Sequence, residues 1–433
     1  MRLIASIFGQ EIGILKEEGE NIFFEYFSSF KGDELKISPL SLPQVAGRTY
    51  TPSHNMSANG LPGVFADSLP DSFGNHLMYE YFREKHGQHH INLTTLQKLS
   101  YIGANGIGAI EYTPAEVDED YCEVIELRKY VNNIKDAING DANEVIKNEI
   151  LRHPSPGGAR PKAALLWDRK NNIMSVGNKP SSDHYEYWIV KFDEDKKETT
   201  KIEKTYFDIA SLAGLNVPKT ELIHEGDEVH FAIKRFDRVD DEKLHQHTLS
   251  GLLHKDYMQH NSVSYEQYLR AVKAITGSHE EVKEGFRRMV FNVVSKNCDD
   301  HTKNFSFLMN SDGVWSVSPA YDLVYSNGDA TFGEHKMSIN KKNKDISIED
   351  IAYAGYSLGL DKAFMVATVN KIVTTFDNFS EIAQKNGLSD NMRKEIQKNI
   401  NLLFGDFPEH PKNKHKEKRN DIEAGYSILR GMN

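Results

Sequence analysis

Residues 297–309, NCDDHTKNFSFLM, place two aspartates, a histidine, a lysine and two asparagines directly before an apolar alternating run. Asp299 and Asn304 are five residues apart, and Asp322 follows the next apolar run. These residue types suit the movement of a phosphoryl group. Asn304 offers an amide oxygen and Asp322 a carboxylate, the hard ligands that Mg2+ takes while it keeps several waters. Asp299 could accept or orient the proton of an attacking hydroxyl, a role that contributes about 10²–10⁴-fold. Lys303 and His301 could bring positive charge or a donor to the γ-phosphate. Asp300 sits beside Asp299, but the five-residue spacing to Asn304 selects Asp299; Asp300 is read as a solvent-facing or structural neighbour.

The flanking elements must hold that loop. HEEVKEGFRRMVFNVVSKN carries Val282, Phe286, Met289, Val290 and Val293 at helical spacing, so a long amphipathic helix delivers the chain to Asn297. FSFLM, the NSDG turn and VWSVSP then read as a hairpin, and AYDLVYS brings Asp322. Helix, polar loop, hairpin and aspartate follow the order of a protein-kinase catalytic segment. The bland alternative is a polar loop that satisfies a helix end and a hairpin.

Upstream, residues 150–240 read as strand, strand, helix, strand, strand. In YWIVKFD, Trp188, Val190 and Phe192 face one way and Ile189 and Lys191 the other. A lysine inside an apolar strand is costly unless paired; a kinase uses one to hold phosphates, and Glu203 near the start of the following helix could orient it. The alternative is an edge lysine that reaches water. In SPGGARPKA, the amides of Gly157, Gly158 and Ala159 could form an anion nest, with Lys162 adding charge, or the segment could be a simple hairpin. Lys234–Phe236 end the fourth strand, where a hinge would offer backbone groups to adenine.

The chain has 433 residues, enough for two or three domains. With 52 Lys and Arg against 63 Asp and Glu, its net charge of −11 argues against DNA binding by overall charge, although HPKNKHKEKR at 410–419 is locally basic. Two distant cysteines give neither a disulfide framework nor a zinc pattern, and fit a reducing cytoplasm. No apolar run reaches membrane length. HGQHH at 86–90 reads as a solvated helix end.

The pattern predicts strands in the first 30 residues, helices near 75–85 and 92–102, a helix over IEKTYFDIASLAG, and a helical region beyond 245. Ser264 with Gln267 and Ser278 with Glu281 match capping boxes. Further helices are expected at 347–357, 361–377 and 389–404, with Met392, Ile396, Ile400 and Leu403 along one face of the last. The expected fold class is mixed α+β. It has an N-terminal α/β subdomain (1–110), a sheet-rich nucleotide-binding lobe (111–245) and a mainly helical lobe that carries the catalytic loop (246–433).

In this order, SPGGARPKA, WIVKF, KRFDR, NCDDHTKNFSF and PAYDLVYS resemble the HipA toxins, serine/threonine kinases of type II toxin–antitoxin modules. LIASIFGQEIGIL and GLPGVFADSLPDSFGN resemble that family's N-terminal subdomain, so nearly the whole chain is covered. The resemblance implies a two-lobed protein-kinase-like fold using ATP and Mg2+. It makes Asp299 the catalytic residue and Asn304 and Asp322 the metal ligands. The implied nucleotide contacts are Gly157, Gly158, Ala159, Arg160, Pro161, Lys162, Lys191, Lys234, Arg235, Phe236, His301, Thr302, Lys303, Asn304, Tyr321 and Asp322. It implies autophosphorylation of Ser155, whose added charge would repel ATP. It also implies a HipB-like helix-turn-helix antitoxin, operator DNA reached mainly through that partner, and a protein substrate such as an aminoacyl-tRNA synthetase. A kinase of a small-molecule acceptor, or a partner-binding module without catalysis, stays open.

Overall fold

The computed structural model describes residues 1–30, 35–45, 47–50, 60–87, 92–117, 122–139, 160–177, 184–193, 198–327, 333–400, 403 and 405–409. The anion-nest glycines Gly157 and Gly158, with Ala159 and Ser155, lie outside them, as do 88–90 and 410–419. The architecture is mixed α+β, as expected.

Strands β1 (Arg2–Ile7), β2 (Gln10–Glu18), β3 (Asn21–Tyr26), β4 (Thr49–Tyr50) and β5 (Ile110–Thr113) form an antiparallel sheet in the order β4-β3-β2-β1-β5. Alternation buries Leu3, Ala5 and Ile7 against Phe24, Phe65 and Leu96. Helices α1 (Gly63–Ala66), α2 (Ser72–His86) and α3 (Thr95–Ile102) belong to this N-terminal unit. Thr94 and Gln97 cap α3 reciprocally, which sets its start three residues after the expected one.

A second sheet contains β6 (Cys122–Ile125), β7 (Lys162–Asp168), β8 (Ile173–Gly177), β9 (Tyr185–Lys191), β10 (Thr220–Glu225) and β11 (Glu228–Lys234), in the order β10-β11-β9-β7-β8-β6. Helix α4 (Leu127–Asn139) packs Val131 and Ile134 onto the face that buries Trp188 and Val190, while α5 (Thr199–Leu212) joins Phe207 to Phe231 of β11 in the other core. Phe73 and Leu77 of α2 also enter the α4 side. The sequence analysis did not identify β6 and β8, which are short, nor α4, although Leu127, Tyr130, Val131 and Ile134 recur there at helical spacing.

After the small ladder β12 (Arg238–Val239) and β13 (Glu242–Lys243), β14 (His245–Thr248) pairs with β15 (Ser306–Met309), which pairs with β16 (Trp315–Val317). The expected hairpin is present, and β14 is an unforeseen third strand. Helices α6 (Leu249–Leu253), α7 (Tyr265–Thr276), α8 (His279–Ser295), α9 (Ile348–Ser357), α10 (Lys362–Thr375), α11 (Phe379–Lys385) and α12 (Asp390–Asn399) complete the fold.

Both halves of the Ser264–Gln267 box form. At α8 only Ser278 does so, because the Glu281 carboxylate accepts from the Val317 amide at 3.0 Å instead. Helix α12 ends earlier than expected: Ile400 turns extended, and Leu403 packs on the core from left-handed backbone. Among the described residues no helix is long and apolar enough to cross a membrane.

Among the contacts that fix the N-terminal unit to the rest, two stand at its junction with β12–β14 and α6. The Asp237 carboxylate accepts from Arg235, Arg238 and the Gly108 amide, while both arginines donate to the Gly106 carbonyl. Burial would raise that carboxyl, but the two guanidiniums hold it well below the usual range. Helices α1 and α6 meet backbone to backbone: a Cβ on Gly63 would stand 1.9 Å from the Gly251 carbonyl oxygen. Asp67, just after α1, accepts from the Thr248 amide at 2.7 Å and hydroxyl at 2.6 Å.

Candidate active site

Register places Lys162 of β7 opposite Lys191 of β9, so both side chains share one face. Two adjacent ammonium groups repel, and the surrounding acids must compensate. Lys191 Nζ donates to Glu203 of α5 at 2.8 Å and to Asp322 at 2.5 Å. Burial alone would depress Lys191; the two carboxylates overturn that and hold it above its ordinary value. Burial would raise Asp322, but Lys191 and Lys162 hold it well below the carboxylate range. Lys162 is 5% exposed, and burial together with the Lys191 charge brings it down to about 8. Asp322 has φ 52°, a left-handed conformation that Asp tolerates better than most residues and that concentrates at functional sites.

The loop reaches this cluster from α8, whose C-cap Lys296 is left-handed. Asn297 donates to Asn292 at 3.0 Å and to the Asp322 carbonyl at 3.5 Å. The Asp299 amide donates to the Ser326 hydroxyl at 2.9 Å, and its carboxylate side chain is half-buried. Asn304 closes a short 3-10 turn, Thr302–Asn304, and its NH2 donates to the Asp299 carbonyl at 2.9 Å. The amide oxygen therefore points to the opposite side of that group. Tyr321 donates to the Lys303 carbonyl at 2.6 Å, and its ring lies 5.6 Å from that of Phe236. His301 Nδ1 and Thr302 Oγ1 are buried with no hydrogen-bond partner among the described residues.

The remaining candidates fall at the rim or point away. Arg160 is exposed, and the Pro161 carbonyl accepts from the Phe192 amide at 3.1 Å. Lys234 pairs with Glu186 at 2.6 Å. The Arg235 side chain is turned from the cleft into the Asp237 network, leaving its backbone near Tyr187.

Asp300 is not solvent-facing. It is 1% exposed and accepts from Tyr265 at 2.6 Å and the Lys336 amide at 2.7 Å, with His335 Nδ1 at 2.8 Å. Cys298 Sγ lies 4.0 Å from the other His335 nitrogen. Burial would lower His335, but the Asp300 carboxylate lifts it to about 10. Sequence reading also missed Asp71, whose carboxylate accepts from Lys303 at 2.6 Å. Its only local signal was its place in LPDSFGN, ahead of a helix.

Residues 154–380 match the HipA-like C-terminal domain, and residues 3–113 match the HipA N-terminal domain. The chain belongs to the HipA family. A HipA in a complex described as the Shewanella oneidensis toxin–antitoxin system HipA, HipB and its operator DNA shares the fold, with a TM-score of 0.66 at 18% identity over 92% of this chain and 94% of that one. The serine/threonine-protein kinase toxin HipA of the same organism is 23% identical over 64% of this chain and 68% of its own. A Sinorhizobium fredii protein named "Putative kinase Y4dM" is 27% identical, and a Haemophilus influenzae "Putative kinase" 29%, over 54% and 41% of this chain. These two alignments span 61% and 54% of the relatives' own lengths. The fold match to HipA, over 92% of this chain, takes in the N-terminal sheet as well as the second sheet and the helical region.

Proposed function

We propose that this protein transfers the γ-phosphate of ATP to a serine or threonine hydroxyl of a protein. The observation that carries this reading is Lys191, held between Glu203 and Asp322, with Asn297 at the head of the Asp299–Asn304 loop donating to the Asp322 carbonyl. Lys191 and Lys162 neutralise phosphate oxygens, and Glu203 keeps Lys191 aimed when Asp322 takes another partner. Asn304 and Asp322 fit Mg2+: one amide oxygen and one carboxylate suffice for a cation that also binds waters and phosphates. When bound, Mg2+ would offset the charge of the transferring group. Asp299 orients the incoming hydroxyl and takes its proton. Phe236, Tyr321 and the backbone at Lys234–Arg235 border the adenine side.

On the same reading, the substrate is a translation component of aminoacyl-tRNA synthetase type, and Ser155 phosphorylation silences the enzyme. A HipB-like antitoxin provides the main contact with operator DNA, consistent with the net charge of −11. The test is incubation of a cell lysate with ATP labelled at its γ-phosphate, using wild type and Asp299→Gln. Label in protein serine or threonine with wild type alone supports the reading. Equal labelling by Asp299→Gln refutes Asp299, and label confined to small metabolites gives the reaction a different acceptor.

A further inference from the structure

Asp is among the best helix N-caps because its carboxylate can take up the unpaired first-turn amides. Asp71 occupies that position before α2, in extended backbone, yet its side chain caps nothing there. Its Oδ1 instead accepts from Lys303 Nζ at 2.6 Å, 232 residues away in sequence and one residue before Asn304. The same ammonium lies 4.5 Å from the centre of the Tyr257 ring. The acidic groups acting on Lys303 are Asp71 and Asp67, both from the N-terminal unit, and Asp71 also acts on Lys162. One carboxylate of the N-terminal unit therefore pairs with the candidate phosphate-binding Lys303 and adds a weaker attraction at Lys162. Its support is firm: Phe73 and Leu77 of α2 are buried in the core of the second sheet, and Asn75 donates to the Pro70 carbonyl at 2.7 Å. A local capping preference abandoned for a distant charge marks a functional position.

We propose that Asp71 is a positioning residue for phosphoryl transfer, holding the Lys303 ammonium where the transferred group will stand. The proposal rests on the nucleotide-cleft reading above. The carboxylate has two effects of opposite sign. Its charge repels a triphosphate, which weakens ground-state binding. Its hydrogen bond fixes a long, mobile side chain, which favours the transfer step. Removing the charge while keeping the shape should thus tighten nucleotide binding and slow turnover, a split that general loosening of the fold does not produce.

The experiment uses the full chain carrying Asp71→Asn, Asp71→Glu, Lys303→Met or the Asn/Met pair. Transfer from labelled ATP gives kcat and KM, and calorimetry with a non-hydrolysable Mg-ATP analogue gives Kd. Asp71→Asn is expected to lower kcat about tenfold or more, with KM and Kd lowered. Asp71→Glu should recover most of the loss. On the Lys303→Met background, Asp71→Asn should change kcat by less than about twofold, because coupled residues are not additive. Unchanged kcat in Asp71→Asn, or an equal loss with and without Lys303, overturns the proposal. If wild type binds the analogue but phosphorylates nothing, the proposed reaction fails and binding alone decides here. If Asp71→Asn changes the analogue Kd by a clearly different factor with and without Lys303, the two side chains act as one clamp; equal factors refute it.

Discussion

Replacing Asp300 by Asn tests how the Asp299–Asn304 loop is held. The substitution keeps the shape and removes the charge that faces His335. Asp300 and His335 are 1% and 2% exposed, so solvent screens the pair little. Removing one partner of a buried ion pair costs about 3–5 kcal/mol. The imidazole gives a similar figure: a rise from 6.5 to about 10 corresponds to about 5 kcal/mol at the limit. The sign follows from proton binding. Between those two values the folded protein keeps a proton that the unfolded chain has released, so this stabilisation is complete below 6.5 and fades as pH rises toward 10. Urea unfolding of wild type and Asp300→Asn from about pH 6 to about pH 10 should show a gap of about 3–5 kcal/mol at the acidic end that narrows steadily. A gap that is constant over this range, or that widens as pH rises, would show that His335 is not held charged by Asp300. Transfer activity should follow the same trend, since Asp299 is the adjacent residue.

Lys191→Met should weaken Mg-ATP binding by about tenfold or more, because a lost charge-assisted contact costs about 1.5–3 kcal/mol, and Glu203→Gln should weaken it less; calorimetry measures both. Lys162 without nucleotide sits at about 8 and should become charged when phosphates arrive. Binding should then take up a proton near pH 8 and weaken as pH rises above it, which calorimetry in buffers of different ionisation enthalpy detects. Gly63→Ala would force a Cβ to within 1.9 Å of the Gly251 carbonyl oxygen, so the N-terminal unit should become a target for limited proteolysis, with a loss of about 1–3 kcal/mol or more.

Much of the cleft was legible because its signals are local. The five-residue step from Asp299 to Asn304, the helix before it and the hairpin after it all lie within one stretch of sequence. Lys191 stood out because a charge interrupted an otherwise apolar strand. What escaped were groups whose meaning depends on distant partners. Asp71 meets Lys303 across 232 residues, and Asp67 meets Thr248 across 181, a separation at which no periodicity survives. KRFDR read as a hinge, yet Arg235 is spent on Asp237 inside a junction, because buried guanidiniums seek a carboxylate before a ligand. Asp300 looked like a spare neighbour until Tyr265, His335 and the Lys336 amide were seen around it. Glu281 kept the capping-box pattern but accepts from the strand amide of Val317, while the Ser278 amide donates to the Thr276 hydroxyl.

The meeting of α1 with α6 bears on how the protein can be subdivided. Excising the first 110 residues would strip Thr248 of its acceptor and lay bare the glycine surface around Gly251, so the remainder should not survive as a smaller folded protein. Expression trials of such a fragment would yield aggregate, and supplying the missing piece as a separate polypeptide would be the way to recover it.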